Sequence, residues 1–459
     1  MISPGSNLRL EVTGIAPGGV GVADQGRVRY YVRGGLPGDV VDARVVSQER
    51  GRTEAVVARR VRSRIARIAP RCRHFEVCGG CLWQDIDYSD QLALKKEIVQ
   101  HSFREAGIDG SLVADVIGSV ETFFHRNKMD FTFGRTAEGA PALGLYVGRD
   151  SRGEGEYSPV FDVEECLLQS PLSNDIVRAA RDFLNGRGVQ PYDPVRRTGL
   201  VRSLVVREGK RTGEVLVDLV TASPEADFAG EMGEALAGMS ADVKGVVLSV
   251  NPKRSKNALP ASERTVRGAG RITERVAGLM FHISPGSFFQ VNTAQADRLY
   301  GVAVQLCRLT GTERVLDLYC GTGTLSLIAA RGAASVTGVE AMPQAAEDAR
   351  RNAALNGIEN CRFLCGDVLK VLPDLTRVGE RFEVVTVNPP RAGIYRAVIQ
   401  AVCGLQPNRI VYISCNPETL ARDIPRFWAG GYRLETAQPV DMFPHTPHCE
   451  VVAGMARTI

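Results

Sequence analysis

Between residues 8 and 60, apolar and β-branched positions recur in short runs: LRLEVTGIA, RVRYYVRG, DVVDARVVSQ and EAVVARRV. The stretches PGGVGVADQG, GGLPGD and ERGR separate them. Alternation with period two marks strands with one buried face, and glycine clusters mark turns. Several short strands this close together predict a small β-barrel of the oligonucleotide-binding (OB-like) kind over 1–62. Residues 59–67 then form a basic connector ending at Pro70. The period changes over 91–106, QLALKKEIVQHSFREA, where Leu92, Leu94, Ile98, Val99 and Phe103 give a helical pattern. Strand-like runs return in HRNKMDFTFG, LGLYVG, VRSLVVREG, GEVLVDLV and VKGVVLSVN, so 63–285 reads as an α+β central domain. From about Thr312 the β-rich runs VLDLY, SVTGVE, RFLCGD, FEVVTVNPP and RIVYISCNP alternate with helical stretches such as LSLIAARG and PQAAEDARRNAALNG. That alternation predicts an α/β fold, a doubly wound and mostly parallel sheet, over 286–459.

Length agrees with this division, since 459 residues exceed one ordinary core. No apolar run is long enough to span a bilayer, and MISPGSNLRL lacks the apolar core of a signal peptide. A cytoplasmic protein with no membrane partner is expected. The net charge of +4 hides an asymmetry. Residues 1–69 hold twelve Arg against six Asp or Glu, which leaves −2 for the rest. A basic end on a near-neutral body suits a polyanion such as nucleic acid, although a solvated basic face has the same composition. Eleven cysteines in a reducing compartment point to metal binding or catalysis rather than disulfides.

VLDLYCGTGTLSL is a buried strand, a glycine turn and a helix start. Gly321 and Gly323 permit close approach of backbone to a ligand. Glu340, at the end of SVTGVE, suits ribose hydroxyls. A dinucleotide fingerprint would want a third glycine, but Leu325 and Ser326 follow Thr324. The loop with Glu340, Asp367 and the NPP beginning at Asn388 fits S-adenosylmethionine better, all these positions falling on the carboxyl edge of the sheet. An ordinary helix cap is the competing reading of Asp367. RIVYISCNP places Cys415 at the same edge, and Asn416-Pro417 breaks the strand there. Glu450 directly precedes the apolar run VVAGM, so thiol and carboxylate could serve as nucleophile and base. A packed core thiol is the alternative. Cys72, Cys78 and Cys81 have C-x5-C-x2-C spacing, with Cys166 a distant fourth. Four thiolates suit zinc or a four-iron cluster, and spacing alone slightly favours zinc. The remaining cysteines read as structural. In HRNKMDFTFG, His125, Arg126 and Lys128 interleave with Phe131 and Phe133, which suits phosphates and stacked bases, or equally a basic-tipped strand over a core.

GSFFQVN, DLYCGTGT, NPPRAG, YISCNPETLARD and PHCEVV, in that order, resemble the motif series of the bacterial 5-methyluridine RNA methyltransferases. The resemblance covers essentially the whole chain, with a TRAM-like barrel and, in CRHFEVCGGC, the iron–sulfur segment of the ribosomal-RNA branch. It implies a class I methyltransferase domain and methylation of uridine carbon 5 in 23S ribosomal RNA. Cys415 would be the nucleophile and Glu450 the base. Gln290, Tyr319, Thr324, Glu340, Asp367 and Asn388 would bind S-adenosylmethionine. Cys72, Cys78, Cys81 and Cys166 would hold a 4Fe-4S cluster. The helix near 91–106 would pack on the catalytic domain, and a monomer is expected. The chain departs from the family in having Asn388 where an aspartate is usual, and an amide cannot accept a proton. Transfer RNA is the competing substrate within the family. Two further readings are a radical S-adenosylmethionine enzyme, whose C-x3-C-x2-C triad is absent, and a non-catalytic iron–sulfur RNA-binding protein.

Overall fold

The computed structural model describes residues 4–49, 52–148, 159–253 and 260–458. At its N-terminus six strands form one sheet. Along the sheet they run Asn7–Glu11, Val40–Glu49, Arg52–Arg62, Val28–Arg33, Val20–Gln25 and Gly14–Ala16. The Asn7–Glu11 strand also touches Val20–Gln25, so the sheet curls around Leu10, Val12, Tyr30, Val32, Val41 and Val45. One of these strands, Val20–Gln25, falls where the sequence reads as a turn. Its glycine serves packing rather than reversal. A Cβ on Gly21 would lie 2.8 Å from both the Gly35 carbonyl oxygen and Val12 Cγ1. The ERGR turn lies partly outside the described residues.

The central sheet has seven strands, in the order Ser262–Gly268, Val243–Val250, Val215–Thr221, Val201–Glu208, Lys128–Arg135, Pro141–Tyr146 and Val160–Asp162. Helices Pro171–Gly186 and Ala229–Ala237 contribute Ile176, Val177, Met232 and Leu236 to a core shared with its strands. The hairpin Ile272–Val276 and Leu279–Ile283 packs elsewhere. Its Val276 and Phe281 join Leu299 and Ala303 of helix Thr293–Cys307 in the core of the C-terminal sheet.

That last sheet carries the site. Its strands run Cys361–Cys365, Ser335–Glu340, Arg314–Leu318, Val384–Val387, Arg409–Ser414, Glu450–Arg457 and Tyr432–Val440. The first five are parallel and the last two antiparallel. Parallel strands buried on both faces read as continuous apolar runs, as RIVYIS and VVTV do. Helix Tyr88–Glu105 begins where Asp87 accepts a hydrogen bond from the Ser89 amide at 2.9 Å. It packs on helix Pro417–Ala429 of this layer. Val99 and Phe103 are 0% exposed and share its core, each stabilising the docking by about 1.5–3 kcal/mol, while Ile98 packs the other way, against Ile15 and Trp83.

Candidate active site

The carboxyl end of strand Arg314–Leu318 opens into a tight loop. Tyr319, Gly321 and Gly323 all have positive φ, at 62°, 56° and 80°. A Cβ on Gly321 would meet nothing, so glycine there answers the backbone angle. The loop frames a pocket lined by Phe288, Tyr300, Tyr319, Gly321, Thr324 and Asn388, among others. Glu340, at the end of the neighbouring strand, braces this loop. Its Oε2 accepts from the Gly321 amide at 2.9 Å and its Oε1 from the Met342 amide at 2.8 Å. Each oxygen keeps a lone pair for a ribose hydroxyl. The Gln290 carbonyl accepts from Asn127 Nδ2 at 2.8 Å. The side chains of Gln290 and Thr324 hydrogen-bond with the Tyr300 hydroxyl, which lies near enough to Glu450 to feel its charge. Asp367 is exposed and caps helix Val368–Arg377, accepting from the Leu369 amide at 2.9 Å. Asn127 and Tyr300 went unread in the sequence, because nothing in a single chain distinguishes them from other buried polar residues.

Cys415 follows strand Arg409–Ser414 and is half-buried. Asn416 then caps helix Pro417–Ala429 through the Glu418 amide at 3.0 Å. Strand Glu450–Arg457 runs antiparallel beside it, with Ser414 opposite Val451. Cys415 and Glu450 are therefore next to each other on the same edge. The Glu450 carboxyl is 4% exposed and its Oε2 has no hydrogen-bond partner in the protein. Burial pushes it up to about 7, against the opposing pull of Arg391. The Cys415 thiol is raised by burial and then by the Glu450 charge. The Arg391 guanidinium lowers it by charge and by a hydrogen bond. The Arg391 carbonyl accepts from Asn416 Nδ2 at 3.2 Å, tying the two loops together. Its signal in the sequence was a cation following NPP, legible only by position. A base that titrates near neutrality beside a thiol with a local cation can move a proton at working pH.

A second group of side chains lies between the N-terminal and central sheets. Cys72, Cys78, Cys81 and Cys166 stand close enough for their ionised forms to repel one another. Burial, then this repulsion, pushes Cys81 up to about 12 and Cys166 up to about 11. The Arg126 guanidinium faces Cys166 and Cys81, and its Nε is buried without a partner. Among the described residues, no three His, Cys, Asp or Glu side chains converge on a single metal-ion position.

The stacking role expected of Phe131 and Phe133 is corrected here. They are 0% and 1% exposed and belong to the central core. The alternation in HRNKMDFTFG turns its aromatic face inward, so neither ring can reach a base. His125 is also buried, and burial lowers it to about 3. Phe288, 63% exposed at the pocket, is the aromatic ring open to a ligand on this side. No helix among the described residues is long and apolar enough to cross a membrane.

The family described as tRNA (Uracil-5-)-methyltransferase matches residues 253–457. An uncharacterised RNA methyltransferase of Gloeobacter violaceus is 37% identical, over 99% of this chain and 97% of its own. One from Halalkalibacterium halodurans is 36% identical, over 95% and 93%. Among solved structures, the Pyrococcus abyssi tRNA (uracil-54, C5)-methyltransferase in complex with S-adenosyl-L-homocysteine superposes with a TM-score of 0.76. It is 28% identical and covers 98% of this chain and 100% of that one. Similarity at this level along nearly the full length of both partners means that this chain belongs to the 5-methyluridine RNA methyltransferase family.

Proposed function

We propose that the protein methylates carbon 5 of a uridine in 23S ribosomal RNA through a covalent adduct with Cys415. The observation that carries this reading is the placement of Cys415, Glu450 and Arg391 on one sheet edge, next to the pocket of Tyr319, Thr324 and Asn388. Carbon 5 of uracil is a weak nucleophile. The Cys415 thiolate, stabilised by Arg391, adds to carbon 6 and leaves an enolate whose electron density lies on carbon 5. S-adenosylmethionine would supply the electrophilic methyl group, which bonds to carbon 5 as its bond to the sulfonium sulfur breaks and S-adenosylhomocysteine leaves. Glu450 then takes the carbon 5 proton. The electrons of that C–H bond restore the ring double bond, and the carbon–sulfur pair returns to Cys415. Asn388 can hydrogen-bond but not accept the proton, so the base is Glu450. Gln290, Tyr319, Thr324, Glu340 and Asp367 complete the cofactor site in this reading.

The same reading assigns Cys72, Cys78, Cys81 and Cys166 to a 4Fe-4S cluster. A cubane takes one thiolate per iron and spreads its ligands further apart than a single tetrahedral zinc does. What supports the reading is that the four thiols lie close enough to feel one another's charge and that Arg126 brings a positive charge to them. The domains would then be 1–62, 63–285 and 286–459, with helix Tyr88–Glu105 and the hairpin over 272–283 of the middle segment packing on the last. The choice of ribosomal over transfer RNA rests on the sequence resemblance of this sheet and cysteine segment to the ribosomal branch, and the full-length likeness to a tRNA (uracil-54, C5)-methyltransferase makes transfer RNA the competing substrate.

Three measurements test the proposal. Cys415→Ala should abolish both methyl transfer and any denaturation-resistant RNA adduct. Glu450→Gln should form the adduct, transfer the labelled methyl group and then stall, since a general base contributes roughly 10²–10⁴-fold. Methylation by Cys415→Ala, or normal turnover by Glu450→Gln, would refute the assignment. Mapping 5-methyluridine in both RNAs of a strain lacking the gene decides the substrate. Loss from transfer RNA alone overturns the ribosomal reading.

A further inference from the structure

The loop from Asp441 to Cys449 delivers Glu450 to the sheet edge, and what holds it comes from the other end of the chain. At its start, the fully buried Asp441 carboxylate accepts from Lys95 Nζ, from the Tyr88 hydroxyl at 2.8 Å and from the Phe443 amide at 3.0 Å. In its middle, His445 stands at φ 66°, in the left-handed region that a non-glycine residue adopts only under constraint. The constraint is visible. The amides of Leu82 and Trp83 both donate to the His445 carbonyl, at 2.8 and 3.0 Å. The His445 amide donates to Gln91 Oε1 at 2.9 Å. Gln91 Nε2 donates to the carbonyls of Trp83 and Ile86, at 2.9 Å each, and lies 3.4 Å from His445 Nδ1. Near its end, Pro447 touches the N-terminal sheet, where a Cβ on Gly19 would be 2.9 Å from Pro447 Cβ and 3.1 Å from the Trp83 ring. Gln91, 1% exposed, thus bonds at once to the segment that follows Cys81 and to the loop that precedes Glu450.

We propose that Gln91 is a positioning residue for proton removal, locking His445 to residues 82–86 so that Glu450 is held at a fixed distance from the carbon 5 proton. This rests on the assignment of Cys415 as nucleophile and Glu450 as base. It goes beyond it in making the cysteine-rich segment and the base-bearing loop one mechanical unit. The step served is elimination alone. The proton passes from carbon 5 to the Glu450 carboxylate while the carbon–sulfur bond breaks toward Cys415. Addition and methyl transfer are carried by Cys415 and the methyl donor rather than by the base, so on this proposal they do not depend on Gln91.

Gln91→Met keeps the length of the side chain and removes its donor and acceptor. In a single turnover with uridine-containing RNA and methyl-labelled S-adenosylmethionine, labelled adduct should form at a rate within about twofold of wild type and decay about tenfold or more slowly, as misplacement of a catalytic group predicts. A purely structural defect would lower adduct formation instead. Decay at the wild-type rate, or both steps falling together, overturns the proposal. Glu450→Gln run alongside separates the two claims. If it accumulates adduct and Gln91→Met does not, positioning fails and the base stands. If it does not, the base assignment fails and the positioning role with it. Amide exchange in the wild-type protein gives a check free of any folding defect. The His445 amide should exchange only as fast as the amides of residues 82–86, and clearly faster exchange overturns the proposal.

Discussion

Glu450→Gln should stabilise the protein at alkaline pH while disabling it. The buried carboxyl titrates at about 7 in the folded protein, against 4.5 for an ordinary glutamate. Below 4.5 both folded and unfolded chains hold the proton, and the group costs nothing. As pH rises toward 7 the unfolded chain ionises and the folded one does not, so stability is lost. Above about 7 the loss is complete. The interval between the two values corresponds to about 3 kcal/mol. Glutamine has nearly the same shape and no charge, so it removes the loss. Urea unfolding followed by tryptophan fluorescence suits the test, because Trp83 packs beside the base-bearing loop and Trp428 lies on helix Pro417–Ala429. The variant should exceed wild type by about 1 kcal/mol at pH 5.5 and by about 3 kcal/mol at pH 8. A gap that does not change with pH, or one that narrows as pH rises, would refute the argument that burial sets the proton affinity of Glu450. The same titration should appear in catalysis. The decay of the methylated adduct should quicken with pH up to about 7 and then level off.

Lys95→Met leaves the Asp441 carboxylate buried without its cation and should cost about 3–5 kcal/mol in urea unfolding, whereas Lys96→Met, at a half-buried lysine paired with an exposed Asp115, should cost under about 1 kcal/mol. Replacing the exposed Arg27, Arg44 and Arg62 together by Gln should weaken RNA binding and flatten the salt dependence of affinity by about one log–log unit for each phosphate no longer neutralised, and an unchanged slope would deny the N-terminal sheet an RNA role. If the proposed cluster is present, anaerobically purified wild type should contain iron and Cys78→Ser should lose most of it; equal iron in both would remove Cys78 from the ligand set.

The catalytic sheet was legible because its strands are buried on both faces. Runs such as RIVYIS admit little else, and the glycine turn after VLDLY announces where the ligand edge lies. The proposed nucleophile and base were named through their motifs, and the structure brings the two residues together. Other features were hidden for identifiable reasons. Val20–Gln25 is a strand written in turn residues, since two chain segments pass too close there for a side chain on Gly21. Alternation in HRNKMDFTFG gives two faces but not which is inside, and the core took the phenylalanines. Gln91 and Lys95 look like the solvated face of an amphipathic helix. Both are buried, and the partner of Lys95 lies 346 positions further along the chain. A period of 3.6 residues reveals a helix, but it cannot reveal that its polar side meets another buried polar side.

That separation bears on synthesis. A ribosome adds roughly 5–20 residues per second, so the Lys95 ammonium emerges on the order of 20–70 s before its carboxylate exists. During that interval helix Tyr88–Glu105 has neither Asp441 nor helix Pro417–Ala429 to dock against. Its apolar residues Val99 and Phe103 face water, and they are a natural target for a chaperone. Strand Glu450–Arg457, which follows every other strand of its sheet along the chain, is also the one that brings in the proposed base. A nascent or C-terminally clipped chain can therefore have the N-terminal and central sheets in place and still lack both the dock for its first long helix and the carboxylate proposed to complete the reaction.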